Sequence, residues 1–380
     1  MNNPSYIQFV ETAEKVLNNA DNKKRTSDIP SSLNAMSTTP FVSVSTAAAR
    51  LKYVLKQGIE NLDEELTRFE KKFSNSHNAL YWASDYEDLF GALRSIFKQQ
   101  KVRSARLPNV NASTIFREVG IKYFLSEERI ELKEEGDIQF FNADMLLTDT
   151  GSILLMNQSN NLLAKLTNSK TNIFIATIDH ICSNTSLAET YCQLSQPTGT
   201  EQDYILFHGS NNCNNYLFVI DNGRTAIIKE KGGCDVLTCL GCGRCNQVCP
   251  VYQTIGDEPY NNVFTGPVAN VVLPFLETIE TYKHVSYACT LCGACEDVCP
   301  LKLPIRDMII ENRHQFFAKE LLDKDDEHRM DLLHKMMTNR KKMNASSFFR
   351  RQSLNKIVGD SLNMSAIGIS KEPFYKQMQK

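Results

Sequence analysis

Leu237–Tyr252 reads LTCLGCGRCNQVCPVY, and fifty residues further on His284–Pro300 reads HVSYACTLCGACEDVCP. Each stretch spaces its cysteines C-x2-C-x2-C-x3-C and follows them with proline: Cys239, Cys242, Cys245, Cys249 and Pro250, then Cys289, Cys292, Cys295, Cys299 and Pro300. Three thiolates two residues apart lie along one tight loop and can hold three corners of an iron–sulfur cube. The fourth begins a departing segment, turned away by its proline, and reaches across to a second cube. This spacing predicts two [4Fe–4S] clusters, one on Cys239, Cys242, Cys245 and Cys299, the other on Cys289, Cys292, Cys295 and Cys249. Gly241, Gly243, Gly293 and Ala294 are small enough to let the loop backbone approach the clusters. Zinc is the competing metal, but two CxxC knuckles suffice to close one tetrahedron, which leaves the third cysteine of each run and the trailing Cys-Pro unused.

The 39 residues between Cys249 and Cys289 can house a helix, predicted over Val268–Tyr282. That favours a helical ferredoxin module over the compact β-rich kind. Cys182, Cys192, Cys213 and Cys234 have no ligand spacing and read as buried or incidental thiols. Beyond the second motif Ile305–Arg340 is helical in pattern. Lys335–Lys356 carries seven basic residues and no acidic one, a solvated end whose alternative is docking to an acidic partner.

Towards the N-terminus, Tyr6–Leu17 reads as a helix and Ser27–Thr39 as a loop. Ala48, Leu51, Val54, Leu55, Ile59, Leu62 and Leu66 recur at helical spacing and predict one long amphipathic helix over Ser45–Phe73. Strands are expected at Ala79–Trp82, Val102–Leu107, Asp144–Thr148, Ser152–Met156, Asn172–Thr177, Tyr204–Phe207, Tyr216–Ile220 and Thr225–Ile228. Helices are expected at Tyr86–Phe97, Thr114–Val119 and Ile181–Leu194. Strands alternating with helices predict an α/β domain with a mostly parallel sheet. The chain then divides into an N-terminal helix and polar linker (1–44), the α/β domain (45–230), the ferredoxin module (231–318) and a basic helical tail (319–380).

With 42 basic and 44 acidic residues the net charge is −2, which offers no general attraction to nucleic acid or anionic lipid. The first residues lack a basic stretch followed by an apolar core, no run is long enough to span a bilayer, and clustered thiols suit a reducing compartment, so the expected location is the cytoplasm. There is no phosphate-binding loop and no dinucleotide fingerprint; the Gly241-x-Gly243 pair belongs to the cysteine loop. His180, after Asp179 at an expected helix start, reads as capping or solvated. His284 reads as a loop histidine, with tuning of the nearby cluster as its alternative.

Ala143-Asp144, Thr148-Asp149-Thr150-Gly151-Ser152, Asp221-Asn222-Gly223-Arg224, the first cysteine motif and Phe264-Thr265-Gly266-Pro267 together resemble the bacterial lactate-utilisation protein B family, over roughly Ala47–Leu303. The resemblance implies a lactate-utilisation (LUD) domain with a CoA-transferase/ribose-phosphate-isomerase-like α/β fold, fused to a helical two-cluster ferredoxin. It also implies participation in oxidation of L-lactate to pyruvate beside a cysteine-rich subunit and a second LUD-domain subunit. The turn Asp149, Thr150, Gly151, Ser152 is then a candidate ligand-facing site, its alternative being a tight turn between strands. Asn222-Gly223 reads as a type I′ hairpin turn. Electron transfer is the leading function. A redox- or iron-responsive regulator, and an enzyme acting on an acyl or phosphorylated metabolite through the α/β domain, are the alternatives.

Overall fold

The computed structural model describes residues 4–19, 41–74, 78–108, 119–133, 136–156, 162–195, 203–209, 213–262 and 264–319, with positions 331, 334 and 335, and the backbone alone at 41–45. The chain divides into two compact units, Asn2–Gln315 and Phe316–Lys380 with Met1. Few residues of the second unit are described; both sheets and both cysteine loops belong to the first.

The centre of the first unit is a six-stranded, all-parallel sheet in the order β1 (Asn78–Ala83), β10 (Asn214–Ile220), β7 (Thr171–Thr177), β4 (Ile138–Asn142), β2 (Ser104–Arg106) and β3 (Glu131–Leu132). A strand covered on both faces needs apolar residues at consecutive positions, and Ile173-Phe174-Ile175-Ala176 and Leu217-Phe218-Val219-Ile220 supply them. Alternate side chains leave for two different cores. Ile173, Ile175, Phe218 and Ile220 meet Leu89, Leu93 and Phe97 of helix Tyr86–Gln100 and Phe124 of helix Ile121–Glu127. Phe174, Ala176, Leu217 and Val219 join the larger core, with Leu51, Leu55 and Ile59 of helix Phe41–Glu60 and Phe69 and Phe73 of helix Leu62–Ser74. A second sheet contributes to that larger core: β8 (Ile181–Cys182), β5 (Met145–Leu147), β6 (Ser152–Met156) and β9 (Tyr204–Phe207), with β5/β6 and β6/β9 antiparallel.

Several expectations are corrected. The long helix over 45–73 is two, separated at Asn61, whose Nδ2 folds back to donate to the Gln57 carbonyl at 2.9 Å and so competes with the helical ladder. Ile181–Leu194 is strand β8, a 3-10 turn at Thr185–Leu187 and helix Ala188–Ser195, so His180 precedes a strand. Val268–Tyr282 is parts of two helices, Gly266–Leu276 and Ile279–Ala288; Thr278 restarts the chain by accepting from the Thr281 amide at 3.2 Å. Thr225–Ile228 is not a strand but part of helix Arg224–Ile228. Asn222 (φ 41°) and Gly223 (φ 82°) do have the left-handed backbone of a tight turn, but the Asp221 carboxylate accepts from the Thr225 amide at 2.8 Å and starts a helix instead of a hairpin. Strand β4 and helices Ile121–Glu127 and Leu162–Asn168 stand where the sequence pattern predicts no element. Ser27–Thr39, most of Thr114–Val119 and most of the chain beyond Lys319 lie outside the described residues.

Candidate metal centre

Both cysteine motifs fold the same way. Gly243 (φ 70°) and Gly293 (φ 79°) occupy equivalent places and start the short helices Arg244–Val248 and Ala294–Val298, which pack against each other. Two positions earlier the repeat again requires a left-handed residue, Gly241 (φ 65°) in the first loop and Leu291 (φ 58°) in the second. Each short helix ends at its fourth cysteine in extended backbone, Cys249 (ψ 116°) and Cys299 (ψ 122°). Pro250 then opens helix Pro250–Ile255, carrying the chain away from the loop.

The turn at each fourth cysteine determines which thiols meet. Cys239 lies within electrostatic reach of Cys242 and Cys299, and Cys245 within reach of Cys239, Cys242 and Cys299. Cys249 lies within reach of Cys289 and Cys292, and Cys295 within reach of Cys249, Cys289 and Cys292. The fourth thiols thus act across the repeat, Cys299 on the first run and Cys249 on the second. Cys245 also lies within electrostatic reach of Cys295. All twelve cysteines are free.

Backbone amides point at the sulfurs. Leu291 donates to Cys289 Sγ at 3.3 Å, Tyr252 to Cys249 Sγ at 3.5 Å and Leu303 to Cys299 Sγ at 3.5 Å. The amides of Gly241 and Arg244 face Cys239 and Cys242 in the same way. Burial pushes the Cys239 and Cys295 thiols up to about 12, because negative charge is disfavoured out of water. Amide donors and a bound cation are what stabilise a thiolate in such a place. Among the described residues no three Cys, His, Asp or Glu side chains are gathered as around one metal ion. Soft sulfur donors with amides aimed at them, and open space beside Gly241 and Gly243, fit iron–sulfur clusters.

Solvent reaches the thiols unequally. Cys292 is exposed, whereas Cys249 and Cys295 are buried and Cys239 is near Tyr191 and Asp179 of the α/β layer. Two arginines that sequence reasoning missed lie close by. Arg313 donates through Nε and a terminal nitrogen to the Ser286 carbonyl at 3.0 and 2.7 Å and to the Cys289 carbonyl at 2.6 Å, pinning the entry to the second loop. Arg224, quoted only for the resemblance, is buried against Asp179 at 2.8 Å. Their signal in the sequence is faint, a charged residue inside an apolar helical face.

The Asp149–Ser152 turn joins β5 to β6. Asp149 accepts from the Thr185 amide at 2.8 Å and its hydroxyl at 2.6 Å, and the Thr150 and Ser152 hydroxyls pair at 2.6 Å. Lys72 donates to the carbonyls of Thr148 at 3.3 Å and Asp149 at 2.5 Å. His284 is not in a loop but in helix Ile279–Ala288, edge-on to Phe9 at 5.1 Å and Tyr6 at 5.8 Å; burial lowers it to about 4. Cys182 and Cys192 are buried away from the cysteine loops, pushed up to about 11 and about 12 by desolvation.

Comparison with known proteins adds three findings. Residues 235–303 match the family described as a 4Fe-4S dicluster domain, so this segment is a dicluster module whose cofactor is two [4Fe–4S] clusters. The chain is 29% identical over 197 residues to Lactate utilization protein B of Bacillus subtilis (strain 168), covering 49% of this chain and 41% of that protein. It is 33% identical over 105 residues to Lactate utilization protein B of Macrococcus caseolyticus (strain JCSC5402), covering 28% of this chain and 22% of that protein. The chain therefore spans about two-fifths or less of the length of these curated relatives. A solved structure of a DUF162 family protein from Deinococcus radiodurans covers 42% of this chain and 98% of its own at 17% identity, with a TM-score of 0.31, too low to bear on the fold. Among the described residues no helix is long and apolar enough to cross a membrane.

Proposed function

We propose that the chain is the iron–sulfur electron-transfer subunit of a complex oxidising L-lactate to pyruvate in the cytoplasm. Cys239, Cys242, Cys245 and Cys299 hold one [4Fe–4S] cluster, and Cys289, Cys292, Cys295 and Cys249 hold the other. The observation that supports this reading is that Cys299 lies within electrostatic reach of the first run and Cys249 of the second. The relatives' shared name supports the substrate class.

When bound, each cluster takes up and gives back one electron. The residues of this chain fix where that happens. Burial around Cys239 and Cys295 keeps water from the sulfurs, and the loop amides stabilise the thiolates. Arg313 holds the chain in place at Cys289. Lactate oxidation removes two electrons together with a C–H bond, a step that calls for a hydride-accepting carrier, and the sequence carries no dinucleotide fingerprint. The C–H step then falls to companion subunits, a cysteine-rich one and a second LUD-domain one. Residues 45–230 serve as the LUD domain that docks them, 231–318 as the ferredoxin module, and 1–44 and 319–380 as flanking segments.

The test is anaerobic preparation of the chain with and without those companions. About eight irons and about eight sulfides per chain are expected, with clusters that lactate reduces only when the companions are present. Zinc in place of iron and sulfide rules the reading out. So does sustained lactate turnover by the chain alone with an artificial acceptor.

A further inference from the structure

We infer that the hydroxyl of Tyr260 donates a hydrogen bond to the sulfur shell of the cluster held by Cys249 and Cys289, and so raises that cluster's reduction potential; this rests on the ligation proposed above. Tyr260 ends the 3-10 turn Glu258–Tyr260, just beyond the first motif, and is 1% exposed. Its ring is caged by Phe9, edge-on at 5.8 Å, by Tyr252 at 6.5 Å, and by Ile255, Leu273 and Val285. Its Oη makes no hydrogen bond of good geometry with any described group, although the Gly266 amide faces the oxygen. A buried hydroxyl without an acceptor for its proton is costly, and proteins keep one where something else accepts.

Its surroundings point to sulfide of the cluster as that acceptor, since no ligand thiol itself lies within hydrogen-bond distance. Those surroundings include the thiols of Cys249 and Cys289, one from each motif and both ligands of the same cluster under the proposed ligation. A phenol enclosed among apolar side chains stays neutral and remains a donor. A donor to thiolate or sulfide stabilises the reduced state, which carries one more negative charge, more than the oxidised state. If Tyr260 only filled the cage, phenylalanine would do as well.

The experiment compares the full chain, with clusters assembled anaerobically, against Tyr260→Phe and against a chain with 3-fluorotyrosine placed at position 260, a stronger donor of nearly the same volume. Each is titrated potentiometrically under EPR, and the signal that Cys249→Ser perturbs identifies the cluster concerned. For Tyr260→Phe the expected result is unchanged iron and sulfide and a fall of about tenfold in that cluster's reduction equilibrium, ~59 mV for one electron. The fluorinated chain shifts the same cluster upward, and the other cluster stays put in both. If the clusters assemble but neither potential moves, or only the other cluster's moves, this inference is overturned alone. A wild-type chain that binds no iron overturns the proposed ligation and this inference with it.

Discussion

Asp144 is a carboxylic acid in the wrong solvent. It is buried beside β6, with its two oxygens accepting from Asn142 Nδ2 at 2.9 Å and from the Met156 amide at 2.7 Å, yet desolvation raises it to about 7. Its folded-state value therefore lies above its unfolded value, and the folded protein binds the extra proton between them. The stabilisation linked to that proton is full below the unfolded value, about 4, and is lost as pH rises through about 7. Asp144→Asn removes this dependence. In denaturant titrations between about pH 5 and about pH 8, wild type loses up to roughly 1.4 kcal/mol per unit from this group, and the variant shows a correspondingly flatter profile. Asp179 behaves oppositely. Burial alone would raise it, but Arg224 at 2.8 Å, together with His180, the Thr177 hydroxyl and its own backbone amide, outweighs that and holds it below the usual range. Arg224→Ala leaves a buried carboxylate uncompensated, at an expected cost of roughly 3–5 kcal/mol. Replacing both residues with leucine should cost less than Arg224→Ala, which denaturation midpoints can check.

At the scale of elements, the β5/β6 turn is a clasp against helix Leu62–Ser74. Gly151 has φ 72°, and a Cβ there would sit 2.4 Å from Lys72 Cβ. Gly151→Ala combines a strained backbone with that clash, and a loss on the order of 2 kcal/mol is expected, read as a lowered urea midpoint. In the cluster-free chain Gly241→Ala has only the strain to bear, since no protein atom lies within 4 Å of its added methyl, and should cost less. The same elements separate what is legible in the sequence from what is not. β7 and β10 are apolar at consecutive positions, the mark of a strand buried on both faces, and the parallel sheet follows from them. The cysteine runs name their own loops, each closing into a short helix at its glycine. β4 escapes a sequence reading because Ile138–Leu147 runs through a strand, a bend and another strand with no interrupting Gly or Pro. Helix Arg224–Ile228 reads as a strand because Thr225–Ile228 has strand composition, and only the Asp221 carboxylate on the Thr225 amide decides otherwise. Tyr260 and Arg313 are far in sequence from one or both of the loops they serve, so only tertiary structure brings them there.

On the scale of the whole unit Asn2–Gln315, the sheet and the cysteine loops share one core. Leu51, Phe174 and Leu217 of the α/β layer belong to the same buried cluster as Leu237, Leu240, Val271, Cys295, Leu303 and Ile309. Anything that loosens the loops is therefore felt at the sheet. Stripping the clusters with a chelator should lower the melting midpoint seen by Trp82, the only tryptophan, which lies on β1. An uncoupled module would leave that fluorescence transition where it was while the far-UV signal split in two.

The uneven burial of the thiols has one more consequence. Cys292 stands in solvent while Cys249 and Cys295, which share its cluster under the proposed ligation, are buried, so that cluster corrodes from one corner. Dioxygen meets the iron on Cys292 first, and a sample ageing in air should lose that corner before any other. What remains then is a damaged cube wired to an intact one, a molecule that still holds charge but can no longer pass it on.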